Sequence, residues 1–436
     1  GMKVIGIDIG TTTISLVVLD TEKKAVLESR TVPNGTFIRT EKEWERIQNP
    51  DRIVEKAMRE LKELRKAYKD VETIGLTGQM HGILYIDEDG NCVSPLYTWQ
   101  DGRGNLPEFD GKSVVCLVKE ETGFSISTGY GLATHLYHCK KNQVPKNAVS
   151  FCTISDYLGM KLTGRKTPIV HISNAASLGL FDSEKMMFYI DTIHKLGMDP
   201  GQLPEVTDEF KILGYYDGIP VTVALGDNQA SFLGSVGFQE NTLLLNMGTG
   251  GQISVLSDKP FEEGGIEARP LARGKYILVG ASLCGGRAYA VLEKFFRTFV
   301  VQAGGEDKAL YEVLKKLARA AMNQENPVEV STLFNGTRTD PTLRGSITNI
   351  SENNFTPEGI TYGVLHGMIK ELYDMYQQIH QGTGIQVSHL VASGNGMRKN
   401  KVLQEISSEM FGADLSLAVY QEEAACGAAV SSAMAF

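Results

Sequence analysis

The sequence has few of the features that mark redox, metal or nucleic-acid proteins. Its 436 residues include six cysteines, none in a CxxC pair, and eight histidines without an HExxH motif. Scattered cysteines are typical of reduced thiols, so we expect neither a disulfide framework nor a catalytic zinc site. The formal net charge of −9 argues against nucleic acid or an anionic membrane surface as a partner.

Long apolar runs are also missing. Glycine, serine or charged residues interrupt the hydrophobic segments well before the roughly 20 residues that a membrane span needs. No signal-peptide pattern precedes the first predicted strand, and we therefore expect a cytoplasmic protein. The motif GxxxxGK[ST] is absent and no GxGxxG follows the first strand. These absences exclude a P-loop and disfavour a dinucleotide-dependent dehydrogenase.

The sequence does contain an apolar hairpin at its start, VIGIDIGTTTISLVVLD. The first strand carries Asp8 near its end, Gly10 permits a tight turn, and a second strand follows without a helical crossover. Such a tip offers donors to phosphate oxygens, and a neighbouring carboxylate suits magnesium. We predict Asp8 as a magnesium-site acid; the alternative is an ordinary turn with a capping aspartate. The predicted phosphate-binding tip comprises Gly10, Thr11, Thr12 and Thr13.

The same pattern recurs in the second half as TLLLNMGTGGQISVLS, residues 242–257, with its tip at Gly248, Thr249 and Gly250. In each half a later strand enters a glycine-containing loop. Self-similarity of this kind predicts two related α/β domains, with a boundary near residue 232 and a cleft between them. Two hairpin tips could then grip the phosphates of one nucleotide.

Local signals also predict helices. Asn49 followed by Pro50 is typical of a helix start. Residues 155–164 and 183–196 each have a helical pattern, and a longer helix is predicted from Pro357 to His380.

Asp227 follows a buried strand and Gly226, at the predicted start of a helix. A carboxylate there can accept a proton from a substrate hydroxyl, and the helix N-terminus would keep it anionic. The alternative is a plain helix cap. The two roles are compatible.

Two loops carry candidate sugar-binding groups. The tight loop GQMHG would present Gln79, Met80 and His81 to the cleft, although a lone histidine is more often structural. The loop YTWQDGRG contains Trp99, Asp101 and Arg103. An aromatic ring can cover the carbon face of a sugar while charged groups bind its hydroxyls; the alternative is a surface salt-bridge loop.

The segment SGNGMRKN, residues 393–400, has small residues that let the backbone approach a nucleobase, with a predicted helix start after them. Taken together, these segments resemble the FGGY carbohydrate kinases, which have the actin-like ATPase fold. The motifs that carry the resemblance occur in family order: GIDIGTTT, LTGQMHG, GDNQAS, LNMGTGG, SGNGMRKN and EEAACGAA. The segments TWQDGR, TISDYL and SNAASLGLFD are most similar to members that phosphorylate sedoheptulose, with xylulose-phosphorylating members as the rival.

The resemblance implies two ribonuclease-H-like α/β domains, at residues 1–232 and 233–436, with ATP and Mg²⁺ as cofactors. It implies transfer of the ATP γ-phosphoryl group to a primary hydroxyl of a ketose, giving sedoheptulose 7-phosphate, with xylulose, another pentulose or a polyol as alternatives. It assigns Asp227 as the base and Asp8 as the magnesium-site acid. The implied sugar contacts are Met80, His81, Asp101 and Asn228. The implied adenosine contacts are Gly394, Asn395, Gly396 and Asn400.

The implied partners are the ketose and ATP, with a homodimer as one candidate assembly. A remote alternative is an actin- or chaperone-like ATPase switch, which would lack the sugar loops around His81 and Trp99.

Overall fold

A computed structural model describes residues 2–436 and divides into two compact α/β units. The first unit comprises Gly1–Gly237, Pro270–Lys275 and Glu422–Phe436, and the second comprises Phe238–Arg269 and Tyr276–Gln421. The domain boundary near residue 232 stays a prediction. The structure adds that the last segment of the chain belongs to the first unit.

The chain up to residue 237 forms both strands and helices. The strands are β1 (Lys3–Ile9), β2 (Thr13–Asp20), β3 (Ala25–Pro33), β4 (Ile47–Gln48), β5 (Thr73–Gly78), β6 (Leu84–Ile86), β7 (Leu96–Tyr97), β8 (Ser150–Cys152), β9 (Ile169–His171), β10 (Phe181–Asp182), β11 (Met187–Phe188), β12 (Glu205–Thr207), β13 (Ile212–Tyr216), β14 (Ile219–Thr222) and β15 (Leu225–Gly226). The α-helices are α1 (Pro50–Ala67), α2 (Val114–Thr122), α3 (Gly131–Lys140), α4 (Ile154–Thr163), α5 (Ile172–Ser177), α6 (Ile190–Lys195) and α7 (Asp227–Ser235). Short 3₁₀-helices span Arg103–Asn105 and Pro200–Gln202.

The remaining elements follow residue 237. The strands are β16 (Thr242–Met247), β17 (Gly251–Ser257), β18 (Glu267–Ala272), β19 (Lys275–Ser282), β20 (Glu329–Ser331), β21 (Ser346–Thr348), β22 (His389–Ser393) and β23 (Asp414–Leu417). The α-helices are α8 (Gly286–Gln302), α9 (Tyr311–Ala321), α10 (Pro357–Thr383), α11 (Asn395–Arg398), α12 (Lys401–Phe411) and α13 (Glu423–Ala433). Among the described residues, no helix is both long enough and apolar enough to cross a membrane.

The sheet of the first unit has the strand order β13-β14-β5-β1-β2-β3. Strands β1, β2 and β3 are antiparallel, and β5 runs parallel to β1. Strand β1 lies at the centre because its run of apolar side chains can be buried on both faces, and Val4, Ile5 and Ile7 are fully buried. The predicted opening hairpin is confirmed.

The second unit repeats this arrangement. Its sheet contains the run β19-β17-β16-β22-β23, in which β16 and β17 form an antiparallel hairpin and β22 runs parallel to β16. Each unit thus has three antiparallel strands followed by a strand parallel to the first of them. The internal repeat predicted from the two glycine-threonine hairpins is therefore present as a repeat of strand order.

Helix α13 packs closely on the sheet of the first unit because small residues meet at the contact. A Cβ atom on Gly6 would overlap the carbonyl oxygen of Ala425, and one on Gly75 would overlap that of Ala428. Close backbone approach of this kind requires glycine. The EEAACGAA motif thus belongs to a helix of the first unit.

The helix that begins at Pro50 is confirmed, with the side chain of Asn49 accepting from the backbone N–H of Arg52 at 3.1 Å. The helix predicted over 183–196 is wrong in its first half, because β10 and β11 form a hairpin there and α6 begins only at Ile190. The carboxylate of Asp182 accepts from two backbone N–H groups of the turn, which favours the turn over a helix.

Candidate active site

The carboxyl ends of three neighbouring strands bring the two candidate carboxylates to one edge of the first unit. Asp8 of β1 pairs in register with Thr77 of β5, which pairs in turn with Leu225 of β15. Adjacent strands lie about 4.8 Å apart, so this rung is about 10 Å wide. Asp227 begins α7 directly after β15. The edge therefore carries an acid on each side of β5.

The two carboxylates influence each other electrostatically. Burial and the negative charge of Asp227 raise the pKa of Asp8 to about 7. Like charges held close together favour protonation of one of them, and a divalent cation between them would relieve the repulsion. The described residues contain no group of three or more His, Cys, Asp or Glu side chains that could form a metal cage. One or two carboxylates completed by water and phosphate oxygens is the coordination that magnesium prefers.

Asp227 is the first residue of α7, whereas Gly226 occupies the cap position. The side chain of Asp227 is exposed and lies in the first helical turn, where the helix dipole favours a negative charge. The geometry therefore fits an anionic carboxylate that faces solvent or substrate.

The first hairpin tip is held in place through its carbonyl groups. Asn34 donates from its backbone to Thr12 and from its side chain to Gly10, and Gln48 donates to Thr11, all at 2.8–2.9 Å. The backbone N–H groups of Thr11 and Thr12 donate to no other described residue. A tip with its acceptors occupied and its donors unused is suited to an anion.

Thr13, the remaining residue of the predicted tip, begins β2 with an exposed side chain. The indole Nε1–H of Trp99 donates to the Thr11 hydroxyl at 2.9 Å. The structure thus joins the tip and the predicted sugar loop of Trp99 directly.

The GQMHG loop continues β5 at the same edge. The backbone N–H of Gln79 donates to the carbonyl of Ile9 at 2.8 Å, and its side-chain Nε2 donates to Gln48 at 2.9 Å. Met80 packs against Gly226, where an added Cβ would lie 2.5 Å from the Met80 methyl group. Gln79 and Met80 therefore lie beside the start of α7.

His81 has a left-handed backbone, with φ of 77°, which is uncommon for a residue other than glycine. Its Nδ1 lies 2.8 Å from the carbonyl oxygen of Ser177, which can only accept, so Nδ1 carries a hydrogen and donates it to that oxygen. The ring stacks on Tyr130 with centroids 4.6 Å apart. These contacts fix the orientation of the imidazole.

The loop that carries Trp99 exposes the indole and buries its charged pair. Trp99 is 46% exposed, whereas Asp101 is fully buried and Arg103 nearly so. Arg103 donates to Asp101 at 2.7 Å and to Glu45 at 3.0 Å. The pair is an internal ion pair rather than an open polar surface, and direct sugar contact by Asp101 and Arg103 stays a prediction.

Several acceptor atoms near Asp227 have no donor among the described residues. The buried side-chain oxygens of Gln79, Asn228 and Gln229 are without a hydrogen-bond partner. Buried polar atoms are normally paired, so unpaired acceptors indicate a place for water or for ligand hydroxyls. Gln79 and Asn228 were predicted from the sequence, whereas Gln229, which the GDNQAS motif contains, was not.

Sequence analysis also missed the residues that hold β15 in place. The Ser173 hydroxyl accepts from the backbone N–H of Gly226 at 3.0 Å, and Asn174 donates to the carbonyl of Ala224 at 3.2 Å. Both belong to the SNAASLGLFD segment, to which no role was assigned. They fix the strand that delivers Asp227.

The second unit contains a pocket of about 820 Å³. It brings together predicted residues from the second hairpin tip and from the 393–400 loop. These are Gly248, Thr249, Asn395, Gly396 and Asn400. Its other lining residues, which sequence analysis missed, include Gly286, Arg287, Tyr289, Tyr311 and Lys315.

The second tip is anchored as the first is, by donors to its carbonyl groups. The backbone N–H of Gly286 donates to Gly248 at 2.8 Å, that of Arg287 donates to Thr249 at 3.0 Å, and Gly248 donates to Gly250 at 3.0 Å. The N-terminus of α8 therefore fixes the tip.

The 393–400 loop depends on glycine at its entrance. Gly394 has φ of 85°, and an added Cβ would lie 2.5 Å from the carbonyl oxygen of Met247. The side-chain oxygen of Asn400 accepts from the backbone N–H of Leu403 at 3.0 Å and so caps α12. The Tyr289 hydroxyl is buried without a partner in the same pocket. That hydroxyl is a further group that a ligand could satisfy.

Comparisons with known proteins agree with this arrangement. The family model of the FGGY carbohydrate kinase N-terminal domain matches residues 3–234, and that of the C-terminal domain matches residues 243–436. The chain is similar to sedoheptulokinase from Mus musculus, with 28% identity over 92% of this chain and 91% of the relative. It is also similar to xylulose kinase from Staphylococcus xylosus, with 26% identity over 99% of this chain and 90% of the relative.

Among solved structures, xylulose kinase from Rhodospirillum rubrum matches with a TM-score of 0.82 and 21% identity, covering 99% of this chain and 89% of that one. This likeness confirms the two-domain α/β fold. Both family models together span nearly the whole sequence. The chain therefore belongs to the FGGY family of carbohydrate kinases, phosphotransferases that act on an alcohol group.

Proposed function

We propose that this kinase transfers the γ-phosphoryl group of ATP to a primary hydroxyl of a ketose, with sedoheptulose as the leading substrate. The observation that carries the proposal is the edge of the first unit, where Asp8 and Asp227 flank β5 and unpaired carboxamide oxygens lie nearby. A polyol supplies the hydroxyl donors that these acceptors lack.

The sugar would contact residues of two loops. Trp99 offers an exposed ring for the carbon face, and His81 is the proposed contact from the GQMHG loop. Gln79, Met80 and Asn228 complete the proposed sugar contacts. Asp101 and Arg103 remain proposed sugar contacts, and their buried ion pair also holds the Trp99 loop.

ATP would bind the pocket of the second unit. Its volume of about 820 Å³ is within the range that binds cofactor-sized ligands. The proposed phosphate contacts are the two tips, Gly10–Thr13 and Gly248–Gly250. The proposed adenosine contacts are Gly394, Asn395, Gly396 and Asn400. The unpaired Tyr289 hydroxyl is an additional donor in this pocket.

Magnesium fits the residues present. Burial, together with the negative charge of Asp227, raises the pKa of Asp8, so a nearby cation would stabilise its ionised form. Two neighbouring carboxylates are the donor set for a hydrated Mg²⁺ ion. Asp8 would hold the ion and Asp227 would lie beside it. When bound, Mg²⁺ neutralises charge on the phosphate oxygens.

Asp227 would be the general base for the sugar hydroxyl. Its carboxylate would orient the attacking hydroxyl and accept its proton as the new O–P bond forms, while the bond from the γ-phosphorus to the β–γ bridging oxygen breaks and ADP leaves. A loose phosphoryl-transfer transition state depends on in-line positioning and charge neutralisation more than on covalent help from the protein. The donors of the two hairpin tips would supply part of that neutralisation.

The choice of sedoheptulose rests on the curated relatives and on the motifs TWQDGR and SNAASLGLFD. Xylulose, another pentulose and glycerol are the alternatives, since xylulose kinase is also similar over nearly the whole chain. Because the chain belongs to a family of carbohydrate kinases, we no longer consider the actin- or chaperone-like ATPase switch. The cytoplasmic location stays a prediction.

A coupled ADP-release assay tests the substrate. Sedoheptulose, xylulose, ribulose and glycerol are compared at equal concentration, with a sugar-free reaction as the control. We expect the highest kcat/KM with sedoheptulose and little ADP release without sugar. A higher kcat/KM with xylulose would transfer the assignment to the five-carbon ketose, and equal ADP release with and without sugar would contradict a sugar kinase.

We also propose that the protein is a homodimer, joined through an apolar face of the second unit. Phe295 and Phe299 of α8 are 67% and 66% exposed, and the nearby Phe355 is 61% exposed. Phe295 and Phe355 line an apolar groove of about 410 Å³. Three such rings expose about 400 Å². That is about half of the roughly 800 Å² per partner in a standard interface.

A further inference from the structure

A series of buried side chains connects helix α3 to the loop that carries Trp99. Nη1 of Arg103 lies 2.8 Å from Nε2 of His138, and Nδ1 of His138 lies 2.9 Å from the Tyr85 hydroxyl. The same hydroxyl lies 2.8 Å from Nδ1 of His135. Tyr85 and both histidines are 1% exposed. The roles proposed above use neither histidine.

Donor and acceptor chemistry fixes the direction of each bond. A guanidinium only donates, so Nε2 of His138 accepts from Arg103 and the hydrogen of His138 is on Nδ1. His138 then donates to the Tyr85 oxygen, and the Tyr85 hydroxyl donates to His135. Burial, the Arg103 charge and the neighbouring His135 lower the pKa of His138 to about 3. Burial lowers the pKa of His135 to about 4, so both rings are neutral, as this pattern requires.

The arginine end of the series fixes the loop. Arg103 donates to both carboxylate oxygens of Asp101, at 2.7 and 3.1 Å, and Asp101 also accepts from the backbone N–H of Arg46 at 3.0 Å. These bonds tie the loop backbone to the segment before β4. Trp99, two residues before Asp101, is thereby held against Thr11.

We propose that His138 is a positioning residue for sugar binding, because it holds Arg103 and, through Arg103, the Trp99 loop. The proposal rests on the proposed function, since it takes Trp99 as part of the sugar site. The same helix supports the other sugar loop: Tyr130, directly before α3, stacks on His81. Helix α3 thus carries a support for each predicted sugar loop.

The test compares His138→Leu with His138→Gln. Leucine removes the acceptor of the Arg103 Nη1 group and the His138 bond to the Tyr85 hydroxyl, whereas glutamine can still accept from Arg103. We expect His138→Leu to raise the KM for the ketose about tenfold, as for a lost hydrogen bond to a charged group. The KM for ATP should be unchanged, and His138→Gln should restore most of the sugar KM. His194→Leu, at an exposed position of α6, is the matched control.

Tryptophan emission gives a second measurement. The chain has two tryptophans, Trp44 and Trp99, so a Trp44→Phe background reports Trp99 alone. We expect His138→Leu in that background to shift the Trp99 emission to longer wavelength, because the indole becomes more solvated. His138→Gln should leave the emission in place.

A folded His138→Leu variant with wild-type sugar KM and unchanged Trp99 emission would overturn the proposal. Equal rises in the KM values for sugar and ATP would also overturn it. If His138→Leu does not fold, His138→Phe keeps a ring in the same space, removes the acceptor of the Arg103 Nη1 group and is judged by the same criteria. Trp99→Ala separates the two claims: a wild-type sugar KM there would contradict the sugar site, whereas the His138→Leu emission still decides the positioning role.

Discussion

At the scale of single residues, the site depends on where carboxylates are placed and what surrounds them. Asp8 and Asp227 could be singled out from sequence because Asp8 lies near the end of a buried strand before Gly10 and Asp227 directly follows a buried strand that ends at Gly226. Their mutual repulsion could not be predicted, since it depends on β1 and β15 both pairing with β5. The burial of Asp101 and Arg103 also escaped prediction, because their partners Glu45 and His138 are distant in sequence.

The pKa of Asp8 makes a prediction for stability. Its value of about 7 in the folded chain is above the ordinary 3.8, so the native state binds a proton that the unfolded state has lost. The contribution of Asp8 to the free energy of unfolding therefore falls as pH rises from about 4 to 7. Since Mg²⁺ binds the ionised form, we expect Mg²⁺ to raise Tm more at pH 8 than at pH 6.

Thermal unfolding of wild type and Asp8→Asn, with and without Mg²⁺ at both pH values, checks this prediction. The variant should show little Mg²⁺-dependent shift at either pH. An equal Mg²⁺-induced shift in wild type and variant would place the metal elsewhere.

At the scale of elements, the hairpins were predictable because a glycine-threonine turn between two apolar runs is a local signal. The hairpin of β10 and β11 was not predictable in the same way, because residues 183–196 have a helical pattern. The two hydrogen bonds that Asp182 accepts in the turn favour the hairpin instead. The nucleotide pocket was predictable only in part. Tyr289 and Tyr311 lie in helices whose local pattern gives no sign of a ligand, and only folding brings them beside Asn395.

The 393–400 loop gives a prediction at this scale. Gly394→Ala should raise the KM for ATP at least tenfold. Alanine is strained at the positive φ of this position, and its Cβ would clash with the Met247 carbonyl oxygen, so the loop must shift. Steady-state kinetics with varied ATP measures the effect.

Gly412→Ala is the matched control, because Gly412 also has positive φ but an added Cβ would meet nothing within 4 Å. It should lower Tm and leave the KM for ATP unchanged. An unchanged KM in Gly394→Ala would show that this loop does not contact the nucleotide.

At the scale of the whole molecule, the internal repeat was predictable from the sequence. The return of the C-terminal segment to the first unit was not. Two glycine-threonine hairpins indicate two related domains, and the strand orders of the two units agree with that. The return of α13 to the first unit depends on contacts between small residues such as Gly6 and Ala425, which leave no periodic signal.

The apolar face of the second unit gives a prediction for assembly. Phe295→Glu should convert a dimer into a monomer, because a charge would be buried at the centre of the interface. Size-exclusion chromatography with light scattering measures the mass. Tyr215→Glu, at an exposed aromatic residue of the first unit, is the control and should remain dimeric. A wild-type protein that is already monomeric would contradict the proposed interface.

The central claim is that Asp227 activates a sugar hydroxyl toward ATP, and Asp227→Asn tests it most directly. Removal of a general base typically lowers turnover about 10²–10⁴-fold. We predict a loss of kcat in that range with sedoheptulose affinity, measured by calorimetry, close to wild type. Asp191→Asn, at the exposed first turn of α6, should retain full turnover. Turnover by Asp227→Asn near the wild-type rate would contradict the account.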